Sequence, residues 1–133
     1  MAGETDLSKL IKSMAPELHN GDYVFVTVKD LEKIDRNDTV CEFKEEEGVT
    51  LVMNRQRADA LGLEYGFVAA WITLKVHSSL QAVGLTALFS KALAESAISC
   101  NVIAGYYHDH VFVDRKDAEK AIGVLTGLSA TYE

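Results

Sequence analysis

One order of elements occurs twice in this chain: a strand, a tight hairpin, a return strand, an Asx-Arg pair and a helix. No other feature constrains the fold as much. In the first copy the strand Val40–Glu45 contains Cys41 and turns at Glu46-Glu47-Gly48, and the return strand Val49–Met53 runs into Asn54-Arg55. In the second copy Cys100 starts the strand, and the return strand His110–Val113 runs into Asp114-Arg115. A hydrophobic strand precedes each copy, Tyr23–Val28 in one and Phe67–Val76 in the other. A β-β-α unit used twice points to duplication. The complete β-α-β-β-α-β order is the ferredoxin-like plan, an antiparallel sheet with its helices on one face. The expectation is therefore an α+β chain, tandemly duplicated, with halves at 1–64 and 65–133.

Local patterns fill in this plan. Leu7, Leu10, Ile11 and Met14 repeat at helical spacing, with Thr5 or Asp6 as the cap and Pro16 as the stop. Asn20-Gly21 marks a turn, and Lys29–Asp38 is a short polar crossover where the second half has a long helix. Asn54 caps a helix through Ala58, Leu61 and Leu63 that ends at Gly62 or Gly66. In Phe67–Val76, alternation sends Val68, Ala70, Ile72, Leu74 and Val76 toward helices. Phe67, Trp71, Thr73 and Lys75 then occupy the opposite face, which reads as a surface for another domain or subunit. Ala82–Ala97 carries a wide apolar stripe of Leu85, Leu88, Phe89, Ala92 and Leu93. Strands are expected at Asn101–Tyr107 and His110–Val113, with His108-Asp109 as a two-residue turn. Asp114 caps the last helix, whose buried face is Ala118, Ala121, Ile122, Leu125 and Leu128. No strand follows that helix, so the amino-terminal helix and strand are expected to complete the second sheet.

Charge and composition narrow the function. A formal net charge of −7 disfavours nucleic acid and anionic membranes as partners. The opening MAGETDLSKLIK lacks the basic start and apolar run of an export signal, which points to the cytoplasm. Phe67–Ile72, the longest apolar stretch, is too short to span a bilayer. The two cysteines form no CxxC pair and read as buried thiols rather than a zinc or disulfide framework. Neither a nucleophile elbow nor a phosphate-binding glycine signature occurs, so no catalytic residue and no cofactor are expected.

A strand, a loop of small polar residues, a glycine at the helix start and the strand entry Ile98-Ser-Cys-Asn101 together resemble the ACT domain. The likeness extends to bacterial proteins built of two ACT-like halves, through the segments Val76–Ala87, Ile98–Val113 and Glu45–Val52. It covers nearly the whole chain. The resemblance implies a regulatory module that binds an amino acid or similar small metabolite where two copies meet, as a homo-oligomer, in the form of a dimer. Many ACT domains carry Asp-x-Pro-Gly before the first helix. Here the stretch is Ser79-Leu-Gln-Ala-Val-Gly84, which keeps the glycine and lacks both the acid and the proline.

Candidate ligand-binding residues follow from these segments: Ser78, Ser79, Gln81, Val83, Gly84 and Leu85 at the helix start, with His108, Asp109 and His110 in the hairpin. Gly84 lets a ligand approach the backbone, and the amides of a helix start favour a carboxylate. It could equally serve close helix-to-sheet packing. Strand alternation puts His108 and His110 on one side, where they could contact a ligand or partner, or hold a metal with His77 as third donor. Alternatively, Asp109 accepts local backbone hydrogen bonds and the histidines orient it. The competing function is an oligomerisation or protein-interaction module with no small-molecule ligand.

Overall fold

The computed structural model describes residues 3, 5–76 and 79–132. His77 and Ser78, both singled out above, lie outside the described residues. The chain forms two compact units, one of residues 20–69 and one of the residues up to His19 together with those from Ala70 onward.

In the unit of residues 20–69, strand β2 (Tyr23–Val28) pairs antiparallel with β4 (Val49–Asn54), from Tyr23 opposite Asn54 to Val28 opposite Val49. Strand β3 (Thr39–Lys44) lies on the far side of β4, with an irregularity between Thr39 and Cys41. Val68 and Ala69, the opening residues of β5 (Val68–Lys75), flank β2. Val24, Val26, Leu51, Met53 and Ala58 form the core, the last from helix α2 (Arg55–Ala60). Asn54 caps α2 as expected, its side-chain oxygen accepting from Gln56 N at 2.9 Å. The crossover from β2 to β3 contains only a short 3-10 turn at Arg36–Asp38, and Leu31 and Ile34 fill in against the core.

The other unit begins with helix α1 (Leu7–Ser13), capped by Asp6, whose carboxylate accepts from Lys9 N at 3.2 Å. Next comes a strand that the sequence pattern does not announce, β1 (Ala15–Leu18). It pairs antiparallel with β5, Ala15 opposite Lys75 and Leu18 opposite Ile72. Proline cannot donate to a ladder, and Pro16 is tolerated because β1 pairs, among the described residues, with β5 alone. Helix α3 (Leu85–Glu95) follows β5, then β6 (Asn101–Ala104), β7 (Asp109–Asp114), a 3-10 turn at Arg115–Asp117 and helix α4 (Ala118–Thr131). Asp114 caps the 3-10 turn rather than α4 itself, accepting from Lys116 N at 3.1 Å.

Neighbouring strands run β6–β7–β5–β1 in this unit and β3–β4–β2–β5 in the other. By position in each repeat these are the same order, so the ferredoxin-like plan is built twice. In the second copy β1 takes the place of the fourth strand, none following α4 among the described residues. Ala70, Ile72 and Leu74 of β5, with Val111 and Val113 of β7, face Leu10, Ile11, Phe89, Leu93, Ala121 and Leu125 from the helices.

Two glycines set local boundaries. Gly84, at φ +100, is left-handed and cannot continue a helix backward, so α3 starts at Leu85 rather than at Ala82. Gly105 donates its N–H to His108 O at 2.9 Å, and a Cβ there would sit 2.8 Å from that same oxygen. The hairpin therefore turns at residues 105–108. Asp109 is the first residue of β7, opposite Ala104, and not part of the turn.

Phe89 is fully buried among these helices and strands. Phe89→Ala is expected to lower the unfolding free energy by ~3–5 kcal/mol. Val83→Ala, at a position 84 % exposed, is expected to stay within ~0.5 kcal/mol of the wild type. Equilibrium denaturation of both variants checks the pair.

Candidate functional site

The loop from β5 to α3 turns tightly on Ser79, whose carbonyl accepts from Ala82 N at 2.9 Å and whose hydroxyl oxygen accepts from Gln81 N at 3.1 Å. These bonds push two apolar side chains outward, leaving Leu80 67 % and Val83 84 % exposed. Leu85 turns inward and is buried, so only its backbone is presented at the loop. Gly84 precedes α3 and supplies no side-chain cap to the first amides of this helix. The missing Cβ also has a packing consequence: one placed there would stand 3.1 Å from Leu7 Cδ2 of α1.

The β6–β7 hairpin meets the start of this loop. His108 Nδ1 lies 3.3 Å from the Val76 carbonyl and donates to it. Tyr106 and Tyr107 stand exposed at the tip in an edge-on pair with centroids 5.0 Å apart. Asp109 is 9 % exposed. No hydrogen bond or ion pair holds its carboxylate among the described residues, so it does not organise the turn. Burial pushes its pKa up, and nearby His108 pulls in the opposite direction.

His110 has a different environment from Asp109, because successive strand residues point to opposite faces. Trp71 Nε1–H donates to His110 Nδ1 at 3.1 Å, and Thr73 Oγ1 is 3.0 Å from the same nitrogen. Thr73 Oγ1 is also 2.7 Å from His19 Nε2, and the His19 ring stacks on Trp71 with centroids 3.6 Å apart. One arrangement satisfies every group: His19 Nε2–H donates to Thr73, whose hydroxyl donates to His110 Nδ1 beside the Trp71 N–H. His110 is then the neutral Nε2–H tautomer. Burial lowers the pKa of both histidines; His108 and His19 add to the effect at His110, and at His19 Lys75 adds to it while Glu17 opposes it.

The structure thus brings the loop Ser79–Leu85 and His108 into one neighbourhood, through Val76. It assigns His110 to the other network. The Trp71–Thr73 face, expected to be left for a partner, is engaged within the chain, with Thr73 only 3 % exposed. No group of three metal-ligating side chains occurs among the described residues. Sequence reasoning did not single out His19, and it placed Thr73 with Trp71 only as part of a face for a partner. Thr73 and His110 fall on one face by alternation, whereas His19 joins them only because β1 pairs with β5. In the unit of residues 20–69, Val28, Ile34, Leu61 and Leu63 line a groove of about 290 Å³ edged by Lys29 and Lys33.

The chain matches the ACT domain family over residues 2–70 and a second ACT domain family over residues 67–127. A crystal structure of a Vibrio cholerae protein of unknown function, described as a possible transport protein, shares 46% identity over 94% of this chain and 97% of that one, with a TM-score of 0.83. An Agrobacterium tumefaciens protein is 18% identical over 87% of this chain and 89% of its own, at a TM-score of 0.66. The regulatory subunit of aspartate kinase from Thermus thermophilus is 10% identical over 90% of this chain and 97% of its own, at 0.56. These last two likenesses concern the fold alone. No curated protein matches the chain.

Two predictions follow from the polar groups of β5 and β7. Thr73→Val removes the hydroxyl shared by two imidazoles and is expected to destabilise the fold by ~1–3 kcal/mol, read by chemical denaturation. Asp109 titrates with a raised pKa in the folded state, so its destabilising charge is absent below the unfolded value of ~3.9 and sets in as pH rises through the folded value. Asp109→Asn is therefore expected to melt above the wild type at pH 8, with the gap closing by pH 4. Thermal melts across that range check it.

Proposed function

The chain belongs to the ACT domain family, and from that premise we propose that it is a non-catalytic regulatory protein that binds an amino acid or similar small metabolite where two ACT domains meet. ACT domains are regulatory, ligand-binding modules. The observation that carries the finer reading is the joining of two segments, the uncapped start of α3 and the hairpin anchored by His108 on the Val76 carbonyl. Free amides at a helix start attract a carboxylate. Ser79, Gln81, Val83, Gly84 and Leu85 form the proposed contact set with His108 and Asp109, and Ser78 belongs to it from its place in the sequence. His110, tied to Trp71 and Thr73, is left to the fold. The protein is proposed to work in the cytoplasm as a homodimer. No helix among the described residues is long and apolar enough to cross a membrane.

A thermal-shift screen of the twenty amino acids, singly, tests this reading. A ligand at a hundred times its dissociation constant adds ~2.7 kcal/mol to the unfolding free energy. Val83→Asp is expected to leave the unliganded melt nearly unchanged, because the position is exposed, and to weaken the shift by placing a like charge beside the ligand carboxylate. The absence of a shift with every amino acid overturns the proposal.

The second reading, an assembly module without a ligand, draws on the exposure of Leu80, Val83, Tyr106 and Tyr107 on the loop and hairpin tip. Light scattering over a range of concentrations separates the two. Self-association that Val83→Asp abolishes, with no response to any amino acid, favours assembly.

A further inference from the structure

Thr73 and Asp109 are the buried polar or charged residues among those described. They differ in kind. Thr73 is bonded to His19 and His110. Asp109 has no hydrogen bond or ion pair among the described residues, and since no fully buried side-chain oxygen among them lacks a partner, its carboxylate reaches solvent at the edge of the core, where partial desolvation still disfavours its charge. The hairpin does not need it, because the turn closes between Gly105 N and His108 O. The ladder does not need it either, since β6 and β7 pair through backbone groups at that position.

Its position says what it faces. Asp109 shares the parity of Val111 and Val113, whose side chains lie in the core beneath the helices. Its carboxyl is therefore on the helix side of the sheet, at the end of β7 beside the hairpin turn. The adjacent residue, His108, is held on the carbonyl of Val76, where the chain leaves the sheet for the α3 loop. That loop, from Ser79 to Gly84, contains no acidic side chain. The 9 % of Asp109 that remains exposed leaves it open to solvent rather than sealed.

We infer that Asp109 is the residue that recognises a primary ammonium group on the ligand, a role that nothing in the Ser79–Gly84 loop can fill. This rests on the proposed binding of an amino acid at that loop and names the side chain that receives its positive end. The ligand carboxylate goes to the amides at the start of α3, and its ammonium goes to Asp109. A single carboxylate suits an ammonium, which donates its remaining hydrogen bonds to neutral acceptors. A divalent metal requires several oxygen or nitrogen donors together, and no such group of three occurs among the described residues. An ammonium placed there would compensate the charge of a partly desolvated carboxylate that has no partner among the described residues.

The test is calorimetric titration of the full chain and of Asp109→Asn. The probes are the twenty amino acids, for each binder the matching acid that lacks the amino group, and methylammonium as a bare cation. The wild type is expected to prefer an amino acid over its deaminated acid by at least about tenfold, and Asp109→Asn to bind the two alike. Asp109→Ser repeats the comparison should the asparagine variant fold poorly. Undiminished preference in both variants overturns the inference and leaves amino-acid binding at the loop intact. Methylammonium binding that Asp109→Asn abolishes, with no amino acid bound, upholds the ammonium site and overturns the amino-acid reading. Failure of every probe with the wild type overturns both.

Discussion

The pairing of β1 with β5 is the constraint on which the second unit depends. A ferredoxin-like repeat needs a fourth strand, and none follows α4 among the described residues. Ala15–Leu18 takes that place, antiparallel to β5. Two further placements follow from it. Helix α1, immediately before β1, reaches the start of α3, so that Leu7 occupies the space a side chain at position 84 would need. His19, immediately after β1, donates its backbone N–H to Trp71 O at 2.9 Å and lays its ring on the Trp71 ring. One short strand therefore positions a residue beside the proposed ligand loop and another on the opposite face of the sheet.

Strand β7 shows two ways of handling polar groups out of water. On one face His110 is held neutral because its Nδ1 accepts from the Trp71 N–H, and a proton there would set two donors against each other. That network is satisfied and acts as structure. On the other face Asp109 is buried without such partners among the described residues. The contrast within two consecutive residues is informative, since the same strand supplies both environments and, among the described residues, only one is closed by side-chain partners.

Legibility in the sequence followed the strength of the local signal. The repeated strand-hairpin-strand-helix order is carried by long apolar runs and Asx caps, and the double ACT plan could be read from it. The alternation of Ala70, Ile72 and Leu74 correctly marks the helix-facing side of β5. β1 was not legible, because Ala-Pro-Glu-Leu is short, half polar and contains a proline. Only pairing with a partner more than fifty residues away, Pro16 to Leu74, makes it a strand. The hairpin was displaced for a similar reason. His108-Asp109 has turn-forming chemistry, but the close approach of Gly105 to His108 O places the reversal earlier. Consequently Asp109 reads from sequence as a turn residue bonded to its own backbone, whereas in the fold it is a buried strand residue.

The two units share a plan but not the features of a site. In the second, the crossover is an eleven-residue helix whose start lacks a side-chain cap. In the first, the corresponding segment is a polar crossover whose short 3-10 turn is capped from within, Asp35 accepting from Asn37 N at 2.9 Å. The counterpart of Asp109 in the repeat is Val49, the first residue of β4, which pairs with Val28 and packs at the edge of the apolar core. An anion-attracting helix start and a buried carboxylate thus occur together in one copy and are both replaced in the other. The fold is common to the two copies, so the difference lies in these segments and not in the strand order. The proposed recognition site accordingly falls in the copy whose crossover is a helix.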